Sequence, residues 1–442
     1  MKRLVVLGGG VSGYGSAILA KRMGFETLLS ERGAIADKYI KLLEEEGVEY
    51  EQGGHSEERV LSADEVVKSP GIPDSAPLVV ELRRRGVAVI SEIEFAGRYI
   101  GESRVICITG SNGKTTTTSL IYKILSDAGY DVALGGNIGE SFAYRVATNP
   151  AEWYVLEISS FQLDGMFDFK ADIAVLMNIT PDHLDRYDYK FENYAASKMR
   201  VLQNQGIEDS FIYMEQDQTI IDQLSKMSVD SKMLPFSKSM VSSDGKITLS
   251  ELTLDSRLIQ IKGLHNLYNV MAASYAALAA GVEPERIRES IYGFAPVEHR
   301  LEPAGSIDGV DYINDSKATN VDSVWYALDA MTTPVVWIAG GTDKGNDYAP
   351  LIEFARAKVH TLICMGLDNG SLERSFGGVV PNIISTSSFE DAMEAARGAA
   401  HSGDSVLLSP ACASFDLFKN YQHRGECFVE WVNRRGSHGG DE

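Results

Sequence analysis

The sequence predicts an α/β fold with three domains in series. First, its 442 residues are more than a single hydrophobic core usually organises. Second, short apolar strands alternate with helical stretches, which is typical of parallel sheets covered by helices. Third, this alternation starts again twice along the chain. We therefore expect domains at residues 1–98, 99–297 and 298–442.

In the first domain, short apolar runs predict strands, and longer stretches without Gly or Pro predict helices. The predicted strands are Arg3–Leu7, Glu65–Lys68 and Val87–Ile90. The predicted helices are Ser16–Met23, Lys38–Glu46 and Leu78–Arg85. A glycine-rich turn separates the first strand from the first helix, as in parallel α/β units.

The second and third domains repeat this order of elements. In the second domain the predicted strands are Val105–Thr109, Trp153–Glu157, Ile173–Asn178 and Leu258–Ile261, and the predicted helices are Thr115–Ala128 and Asn266–Ala280. Short strands and turns between Phe211 and Leu254 predict an antiparallel patch. In the third domain the predicted strands are Val335–Ala339, Thr361–Met365 and Ser405–Leu408.

Composition excludes some partners. The 41 basic and 62 acidic residues give a formal charge of −21, which repels nucleic acid and anionic membranes, so we expect neither as a partner. No apolar stretch approaches the length of a membrane span. The four cysteines have no metal-type pairing, and we interpret them as reduced thiols of a cytoplasmic protein.

The strongest motif is Gly110-Ser111-Asn112-Gly113-Lys114-Thr115-Thr116, between a predicted strand and a predicted helix. Backbone amides of a glycine-rich loop at a helix N-terminus can surround phosphate oxygens. The lysine supplies a charge for the β- and γ-phosphates, and the first threonine supplies a hydroxyl for Mg²⁺. The usual first glycine of such loops is replaced by Ile108, so the loop is shorter, but its mechanism is unchanged.

A second glycine motif, Gly8–Gly13, matches G-x-G-x-x-G after a strand, and Glu31 follows where an acidic residue could meet a ribose. Two interpretations remain open for it: a dinucleotide site, or a turn needed only for packing of helix against strand.

Acidic and histidine side chains follow two further predicted strands. Glu157 ends one strand, and Asp182-His183-Leu184-Asp185 follows the next. Loops beyond the carboxyl ends of parallel strands line the ligand crevice, where Lys114 also points. A carboxylate and an imidazole at that edge could bind a second Mg²⁺. Taken singly, each residue is better explained as a cap or a surface group, and their joint placement favours a site.

The last domain has cations and hydroxyls in loops after strands or turns. They lie in His299–Arg300, Asn314–Asn320, Gly340–Gly345 and Ser409–Asp416. Such groups suit a nucleotide on one side and an acidic amine substrate on the other.

Together these residues resemble the Mur ligase family, which builds the peptide of bacterial cell-wall precursors. The resemblance covers essentially the whole chain. Its further motifs are Ser69–Ile72, Asn137–Gly139, Glu157–Gln162, Asp182–Asp185, His265–Asn266, Asn269, His299–Arg300, Asn314–Asn320, Ser409–Asp416 and Lys419–Tyr421. The Asn314–Asn320 and Ser409–Ser414 segments favour the D-glutamate-adding branch of the family.

The resemblance implies a Rossmann-like N-terminal domain that binds a UDP-sugar, a P-loop ATPase-like central domain and a Rossmann-like C-terminal domain that binds an amino acid. It implies an ATP- and Mg²⁺-dependent amide ligase that adds D-glutamate to UDP-N-acetylmuramoyl-L-alanine through an acyl phosphate. We expect a monomer whose ATP lies between the second and third domains, with domain closure needed to assemble the site.

The resemblance also implies the residues of each subsite. For ATP they are Gly110, Ser111, Asn112, Gly113, Lys114, Thr115, Thr116, Asn266, Asn269, Arg300 and Asp315. For Mg²⁺ they are Thr115, Glu157, His183 and a carbamylated Lys198. The implied catalytic residues are Lys114, Asn137, His183 and Lys198. Ser12, Gly13, Arg32 and Gly71 would bind the UDP-sugar, Asn137 and His183 its carboxylate, and Lys317, Thr319, Lys344, Ser414 and Tyr421 the D-glutamate.

Three alternatives stay open. A sibling Mur ligase or a folate-type polyglutamate ligase would add a different amino acid, and only loops of the third domain discriminate between these. A dinucleotide-dependent oxidoreductase would use Gly8–Gly13 but leave Lys114 without a role. A non-catalytic nucleotide-binding protein would need a broken site, whereas Lys114, Glu157 and His183 are all present.

Overall fold

The computed structural model of the protein describes residues 2–295, 298–343 and 345–436. It has three mainly parallel sheets with helices between successive strands, which confirms the predicted α/β class. By compactness, residues 1–259 and 266–294 form one unit, and residues 260–265 and 295–442 form the other. The first unit contains the first two sheets, and the second unit contains the third. The domain boundaries at 98 and 297 stay a prediction.

The first sheet is fully parallel, with the order β3-β2-β1-β4-β5. Its strands are β1 (Arg3–Leu7), β2 (Glu26–Glu31), β3 (Glu49–Gln52), β4 (Glu65–Lys68) and β5 (Ala88–Ile90). Its helices are α1 (Val11–Arg22), α2 (Asp37–Glu45), α3 (Glu57–Leu61), α4 (Pro77–Arg84) and α5 (Glu92–Gly97). Four of the five β1 residues are buried, as expected for a strand covered on both faces.

The second sheet is also parallel, with the order β11-β10-β9-β6-β8-β7. Its strands are β6 (Arg104–Thr109), β7 (Val132–Gly136), β8 (Trp153–Glu157), β9 (Ile173–Leu176), β10 (Ser210–Met214) and β11 (Lys232–Phe236). A separate antiparallel pair is formed by β12 (Lys246–Leu249) and β13 (Leu252–Asp255). The helices are α6 (Lys114–Asp127), α7 (Phe142–Thr148), α8 (Ser160–Leu163), α9 (Phe191–Met199), α10 (Gln218–Leu224), α11 (Leu264–Ala279) and α12 (Pro284–Tyr292).

The third sheet has the order β14-β15-β19-β16-β17-β18 and is parallel except for the β14–β15 hairpin. Its strands are β14 (Glu302–Ile307), β15 (Val310–Asn314), β16 (Val335–Gly340), β17 (Val359–Met365), β18 (Asn382–Thr386) and β19 (Ser405–Ala411). Its helices are α13 (Val321–Ala330), α14 (Ile352–Lys358), α15 (Gly370–Phe376), α16 (Phe389–Ala399) and α17 (Tyr421–Gly436).

Two predictions for the second domain are wrong. The predicted strand Leu258–Ile261 is a turn, and the strand lies earlier, at Leu252–Asp255. Ile259 and Ile261 are buried there, so their apolar character reflects core packing without strand pairing. The predicted antiparallel patch is restricted to β12 and β13, because β10 and β11 extend the parallel sheet instead.

The first two sheets share one hydrophobic core within their compact unit. Helix α1 of the first sheet packs against α7 of the second. Two buried carboxylates of α5 reinforce this junction. Glu92 Oε1 accepts hydrogen bonds from the Ser141 hydroxyl at 2.5 Å and the Ala143 amide at 3.1 Å. Glu94 accepts from the amides of residues 167–169.

Candidate active site

The phosphate-loop motif lies after the central strand of the second sheet. In the order β9-β6-β8-β7, the loop Gly110–Gly113 follows β6, Glu157 ends β8, and Asn137 follows β7. The Asp182–His183 turn follows β9. The carboxyl ends of adjacent parallel strands meet at one edge of the sheet, so these separate motifs converge there.

Gly113 ends the loop in the left-handed region, with φ of 83°, and α6 begins at the next residue. A Cβ atom at this position would lie 2.5 Å from Asn269 Oδ1, so both the backbone angle and the space require glycine. The Asn112 amide donates to Asn178 Oδ1 at 2.8 Å, which ties the loop to the segment after β9. The loop is therefore held open at the helix N-terminus before any phosphate binds.

Lys114 is the first residue of α6, and its side chain turns back over the loop. Its Nζ donates to the carbonyl oxygens of Gly110 at 2.8 Å and Ser111 at 2.9 Å. The ammonium group thus lies within the curve of the loop, at the end of the helix that carries the positive partial charge. A β- or γ-phosphate in the curve of this loop would contact the Lys114 ammonium and lie at the positive end of α6.

Thr115 and Asn137 contact the two oxygens of one buried carboxylate. The Thr115 hydroxyl donates to Glu157 Oε2 at 2.7 Å, and Asn137 Nδ2 donates to Glu157 Oε1 at 2.9 Å. Only 2 % of Glu157 and 8 % of Thr115 are exposed. Because the hydroxyl donates its proton, its lone pairs remain available to a cation. Thr116 is also buried, and its hydroxyl has no hydrogen-bond partner among the described residues.

Lys198 is a buried lysine on α9, and only 2 % of it is exposed. Its Nζ donates to the Gly110 carbonyl at 2.9 Å and lies 4.7 Å from the centre of the Tyr194 ring. Burial, and next the charge of Lys114, lower the pKa of Lys198 well below its usual value. Burial therefore favours the uncharged amine of Lys198 beside the phosphate loop.

The Asp182–His183 turn contributes a half-buried imidazole. His183 has φ of 52°, and its amide donates to Asp182 Oδ1 at 2.9 Å. The His183 ring packs edge-on against Phe161, with ring centres 5.1 Å apart. The turn and the ring contact together fix the direction of the imidazole.

These groups line one cavity of about 310 Å³. Its volume lies in the range of ligand pockets and leaves room for the reacting ends of two substrates. Its lining residues are Pro70, Gly71, Lys114, Asn137, Ser159, Ser160, Phe161, Asp182, His183, Tyr194 and Lys198. The structure therefore brings together all four implied catalytic residues. It also adds Gly71 from the loop after β4, which belongs to the first sheet.

The Glu31 side chain, at the end of the next strand, hydrogen-bonds to the backbone of the Gly8–Gly13 motif. Glu31 accepts hydrogen bonds from the amides of Gly9 and Gly33, each at 2.6 Å. A Cβ atom at Gly13 would lie 1.8 Å from the Gly8 carbonyl oxygen, so this glycine allows close packing of α1 on β1. The Glu31 carboxylate accepts a hydrogen bond from the Gly9 amide, which a dinucleotide pyrophosphate would use. This hydrogen bond argues against the oxidoreductase alternative.

The remaining residues implied for the UDP-sugar lie around the carboxyl edge of the first sheet. Ser12 is half-buried at the start of α1, and Arg32 is exposed directly after β2. Strands β2, β1 and β4 are neighbours, so the segments that follow them lie side by side. Gly71 is the member of this set that also lines the cavity.

Two of the implied nucleotide residues pack beside the phosphate loop. Asn269 Nδ2 donates to Asn266 Oδ1 at 3.0 Å, and the Thr117 hydroxyl donates to Asn269 Oδ1 at 3.3 Å. Both asparagines are on α11 and are almost fully buried. Their contacts support the position of α6 and its loop.

In the second compact unit, the buried Asp315 lies within the electrostatic influence of the partly buried Arg300. Burial raises the pKa of Asp315 to about 7, although Arg300 opposes the shift. The Ser409 hydroxyl donates to Asp315 Oδ2 at 2.7 Å. Arg300 Nε is buried and has no hydrogen-bond partner among the described residues, so it can serve a ligand.

The residues implied for the amino acid follow neighbouring strands of the third sheet. Lys317 and Thr319 follow β15, and Ser414 follows β19. The Lys317 ammonium lies 5.4 Å from the centre of the Tyr421 ring. Buried Arg424 joins these segments, because it donates to the Ser316 carbonyl at 2.9 Å and the Cys412 carbonyl at 3.3 Å. Lys344 lies outside the described residues.

Sequence reasoning did not single out Tyr194 or Arg186, and it named Phe161 only within the Glu157–Gln162 motif. Tyr194 lies one turn before Lys198 on α9, and its hydroxyl is 3.0 Å from the Ser111 hydroxyl. Phe161 forms part of the cavity wall, and the Arg186 guanidinium lies 4.3 Å from its ring centre. The i, i+4 spacing of Tyr194 and Lys198 was a signal for the first of these. No sequence signal indicated the stacking of the other two.

Among the described residues, no helix is long and apolar enough to span a bilayer. All four cysteines are described and free, in agreement with the expected reduced thiols.

Sequence comparisons identify related families along the chain. The Mur ligase middle domain matches residues 108–277. The Mur ligase glutamate ligase domain matches residues 299–412, and the MurD N-terminal domain matches residues 3–77. The three matches follow the order of the three sheets.

Curated relatives extend this similarity over the full length. A UDP-N-acetylmuramoylalanine–D-glutamate ligase of Bacteroides fragilis is 51 % identical, covering 98 % of this chain and 99 % of the relative. The enzyme of the same name from Bacteroides thetaiotaomicron is 49 % identical with the same coverage. The solved UDP-N-acetylmuramate–alanine ligase MurC of Thermotoga maritima shares the fold, with a TM-score of 0.62 at 15 % identity, covering 98 % of this chain and 100 % of that one. The chain belongs to the Mur ligase family.

Proposed function

We propose that the protein is an ATP-dependent ligase of peptidoglycan precursor synthesis that joins D-glutamate to UDP-N-acetylmuramoyl-L-alanine, with release of ADP and phosphate. One observation carries the proposal: a phosphate loop, a buried lysine and the Gly71 loop line the same cavity. A nucleotide phosphate and a carboxylate carried by the first domain can therefore meet there. The names of the relatives supply the identity of the two substrates.

The loop suits the triphosphate of ATP. Gly113 leaves the helix N-terminus open, and Lys114 Nζ already lies within the curve of the loop. Amides and an ammonium group at this place stabilise the charge that develops as the γ-phosphoryl group is transferred. Buried Asn266 and Asn269 would contact the nucleotide next to the loop. Arg300 and Asp315, which the family resemblance implies for the nucleotide, belong to the other compact unit, and their role stays a prediction.

The same edge suits Mg²⁺. Thr115 Oγ1 and the Glu157 carboxylate provide two hard oxygen ligands 2.7 Å apart, of the kind that Mg²⁺ prefers. His183 and a carbamylated Lys198 would complete a second position. Bound there, Mg²⁺ would neutralise charge on the phosphate oxygens.

The environment of Lys198 supports the proposal that this lysine is carbamylated. The uncharged amine is the form that attacks CO₂, and burial lowers the pKa of Lys198 well below its usual value. The amine nitrogen forms a bond to the CO₂ carbon and loses a proton to solvent, so the side chain would end in an anionic N-carboxylate with two oxygens. An anion at this position would be attracted to the nearby Lys114 ammonium.

Asn137 and His183 would orient the muramoyl-alanine carboxylate towards the phosphate loop. One carboxylate oxygen attacks the γ-phosphorus of ATP; a new P–O bond forms, the bond to the bridging oxygen breaks, and ADP leaves. The acyl phosphate that results has a good leaving group. The D-glutamate amine then attacks the acyl carbon, loses a proton and expels phosphate from the tetrahedral intermediate.

The third sheet offers cations for the two carboxylates of D-glutamate. Lys317 would pair with one of them, held near Tyr421, while Thr319 and Ser414 would donate hydroxyl hydrogen bonds. Lys344 would provide the second cation. On a protein with a formal charge of −21, local cations are needed to attract a dianion. Ser12, Gly13, Arg32 and Gly71 would bind the uridine nucleotide-sugar. The use of ATP and four free cysteines support a cytoplasmic reaction.

The decisive experiment measures phosphate release from ATP with UDP-N-acetylmuramoyl-L-alanine and a panel of amino acids. D-Glutamate should support turnover, whereas L-glutamate, L-lysine and diaminopimelate should not. A response to L-lysine without a response to D-glutamate would overturn the specificity. Protein-dependent NADH fluorescence without phosphate release would favour the oxidoreductase alternative instead.

A further inference from the structure

We infer that the third sheet carries a second, unassigned metal site, formed by His360, His401 and Asp404, for a divalent transition ion of the Zn²⁺ class. One ligand atom from each of these residues lies within 4.8 Å of the other two. The inference goes beyond the proposed function and does not depend on it, because Mg²⁺ of the ligase reaction would bind in the other compact unit.

The three residues lie at the edge of the sheet opposite the implied substrate loops. His360 is the second residue of β17, and the 401–404 turn leads into β19. Both strands flank β16, so their amino ends lie close together. Lys317, Thr319 and Ser414 instead follow the carboxyl ends of the strands. The cluster is therefore separate from the amino-acid subsite.

The spacing of the ligand atoms matches tetrahedral coordination. His360 Nε2 is 3.1 Å and His401 Nδ1 is 3.5 Å from Asp404 Oδ2. Bonds of about 2.0–2.1 Å to Zn²⁺ in a tetrahedron place neighbouring ligand atoms roughly 3.3 Å apart. These two distances bracket this value, and the two imidazole nitrogens lie within 4.8 Å of each other, so side-chain rotation would bring all three atoms to one ion.

The backbone holds the cluster in place. The His401 amide donates to Asp404 Oδ2 at 2.7 Å, and the Asp404 amide donates to the His401 carbonyl at 2.9 Å, which closes the turn. The Asp311 amide donates to the Asp404 carbonyl at 3.0 Å and so ties the turn to β15. Asp404 is 8 % exposed, so its carboxylate is already held in place and an ion would not need to order it on binding.

The outer contact of His360 is also of the kind that metal ligands use. Its Nδ1 lies 3.0 Å from the hydroxyl oxygen of Thr361, a residue that is 2 % exposed. Nε2–H can donate to Asp404 Oδ2 at 3.1 Å; with an ion between them, Nε2 would turn a lone pair to the ion and Nδ1–H would donate to the Thr361 oxygen. The His401 side chain is 83 % exposed, so solvent can supply the fourth ligand.

The ligand types determine the class of ion. Two imidazoles and one carboxylate suit Zn²⁺, Ni²⁺ or Cu²⁺, whereas Mg²⁺ and Ca²⁺ prefer oxygen ligands alone. A bound ion would connect the 401–404 turn to β17, and any ion that binds only the folded chain raises its melting temperature.

The test is equilibrium dialysis of tag-free full-length protein against Zn²⁺ in excess Mg²⁺, together with thermal unfolding. The protein should bind one Zn²⁺ that His360→Ala and Asp404→Asn each lose, and Zn²⁺ should raise its melting temperature but not theirs. Thr361→Val should weaken Zn²⁺ binding roughly tenfold or more, because it removes the outer partner of His360.

His183→Ala is the matched control, since it removes an imidazole from the cavity of the other unit and should keep this Zn²⁺. Loss of Zn²⁺ in His183→Ala alone would assign the ion to the cavity and overturn the inference. Unchanged Zn²⁺ binding in His360→Ala and Asp404→Asn would show that both histidines only hydrogen-bond to Asp404. If a variant unfolds, Zn²⁺-dependent shifts of the His360 and His401 ring resonances in the intact protein decide the question.

Discussion

Thr115 and Glu157, 42 residues apart in the sequence, are joined by a 2.7 Å hydrogen bond at the edge of the second sheet. The bond connects the helix that follows the phosphate loop to the end of the neighbouring strand β8. It directs the hydroxyl proton towards the carboxylate and leaves the oxygen lone pairs for a cation. The two residues thus form an oxygen-rich corner beside Lys114.

Two replacements of Thr115 should distinguish its role in packing from its role in cation binding. Thr115→Ser keeps the hydroxyl and should retain most activity. Thr115→Val keeps the shape but removes the oxygen, so the Mg²⁺ concentration for half-maximal activity should rise and kcat should fall about a hundredfold. Phosphate release measured over a series of Mg²⁺ concentrations tests this. Equal Mg²⁺ dependence of both variants would exclude a role for the hydroxyl in cation binding.

Removal of the Lys114 ammonium should nearly abolish turnover. Lys114→Ala leaves the loop without its cation on the β- and γ-phosphates, and a loss of at least about a hundredfold in kcat is expected. Lys123, on the same helix, pairs with Asp127 at 2.8 Å and provides the control. Lys123→Ala should retain normal kcat. Full activity of Lys114→Ala would contradict the phosphate-loop assignment.

A methyl group at Gly113 should impair ATP binding by the phosphate loop more than it destabilises the fold. Gly113 and Gly129 lie at opposite ends of α6, both with positive φ, but a Cβ at Gly129 meets no atom within 4 Å. Both alanine variants should lose about 1 kcal/mol of stability from the backbone angle. Only Gly113→Ala also forces a 2.5 Å contact with Asn269, so only it should raise the KM for ATP.

These two variants are compared by urea unfolding and by steady-state kinetics on the same preparations. A similar rise of the ATP KM in Gly129→Ala would mean that the effect comes from general destabilisation of α6 rather than from the loop.

The Lys198 amine should take up CO₂. In ¹³C-bicarbonate the protein should show a carbamate carbon resonance that Lys198→Arg lacks, because a guanidinium does not form this adduct. Activity of Lys198→Arg should fall by about a hundredfold if the carbamate supports the metal. Lys190→Ala, at the exposed start of the same helix, should keep the resonance and the activity. A carbamate signal retained in Lys198→Arg would place the modification elsewhere.

Glu92 should make stability depend on pH. Burial raises the pKa of Glu92 above its usual value of 4.5. The contribution of Glu92 to the stability of the fold is therefore complete below its unfolded-state pKa. This contribution is lost as the pH rises through the higher folded-state pKa. Glu92→Gln can still accept from Ser141 and Ala143, so it should gain stability relative to the wild type as the pH rises above 4.5.

Glu94→Gln, two residues away, should lose stability at neutral pH. Glu94 accepts amide hydrogen bonds from residues 167–169 and lies 3.6 Å from Arg98, so loss of its charge should cost about 1–3 kcal/mol at neutral pH. Urea unfolding of both variants at acidic and neutral pH measures the contrast. A Glu92→Gln variant whose relative stability does not change with pH would contradict the assigned burial effect.

Much of the fold was predictable because buried parallel strands are continuous apolar runs. Arg3–Leu7, Glu65–Lys68 and Trp153–Glu157 have the predicted bounds. Helix α1 begins at Val11, five residues before the predicted start, because the helix continues into the glycine motif itself. Apolar character alone could not distinguish the buried turn at Ile259–Ile261 from a strand.

By itself the sequence determined the class of fold, the phosphate loop and the family, since each depends on residues close together or on the order of motifs along the chain. Tertiary structure alone decided which side chains share the cavity. Pro70, Phe161 and Tyr194 meet there because their segments come from different strands and helices, and strand order in a sheet depends on pairing between distant segments. The same physical reason brings His360 beside Asp404 across a sheet, where no local pattern indicates it.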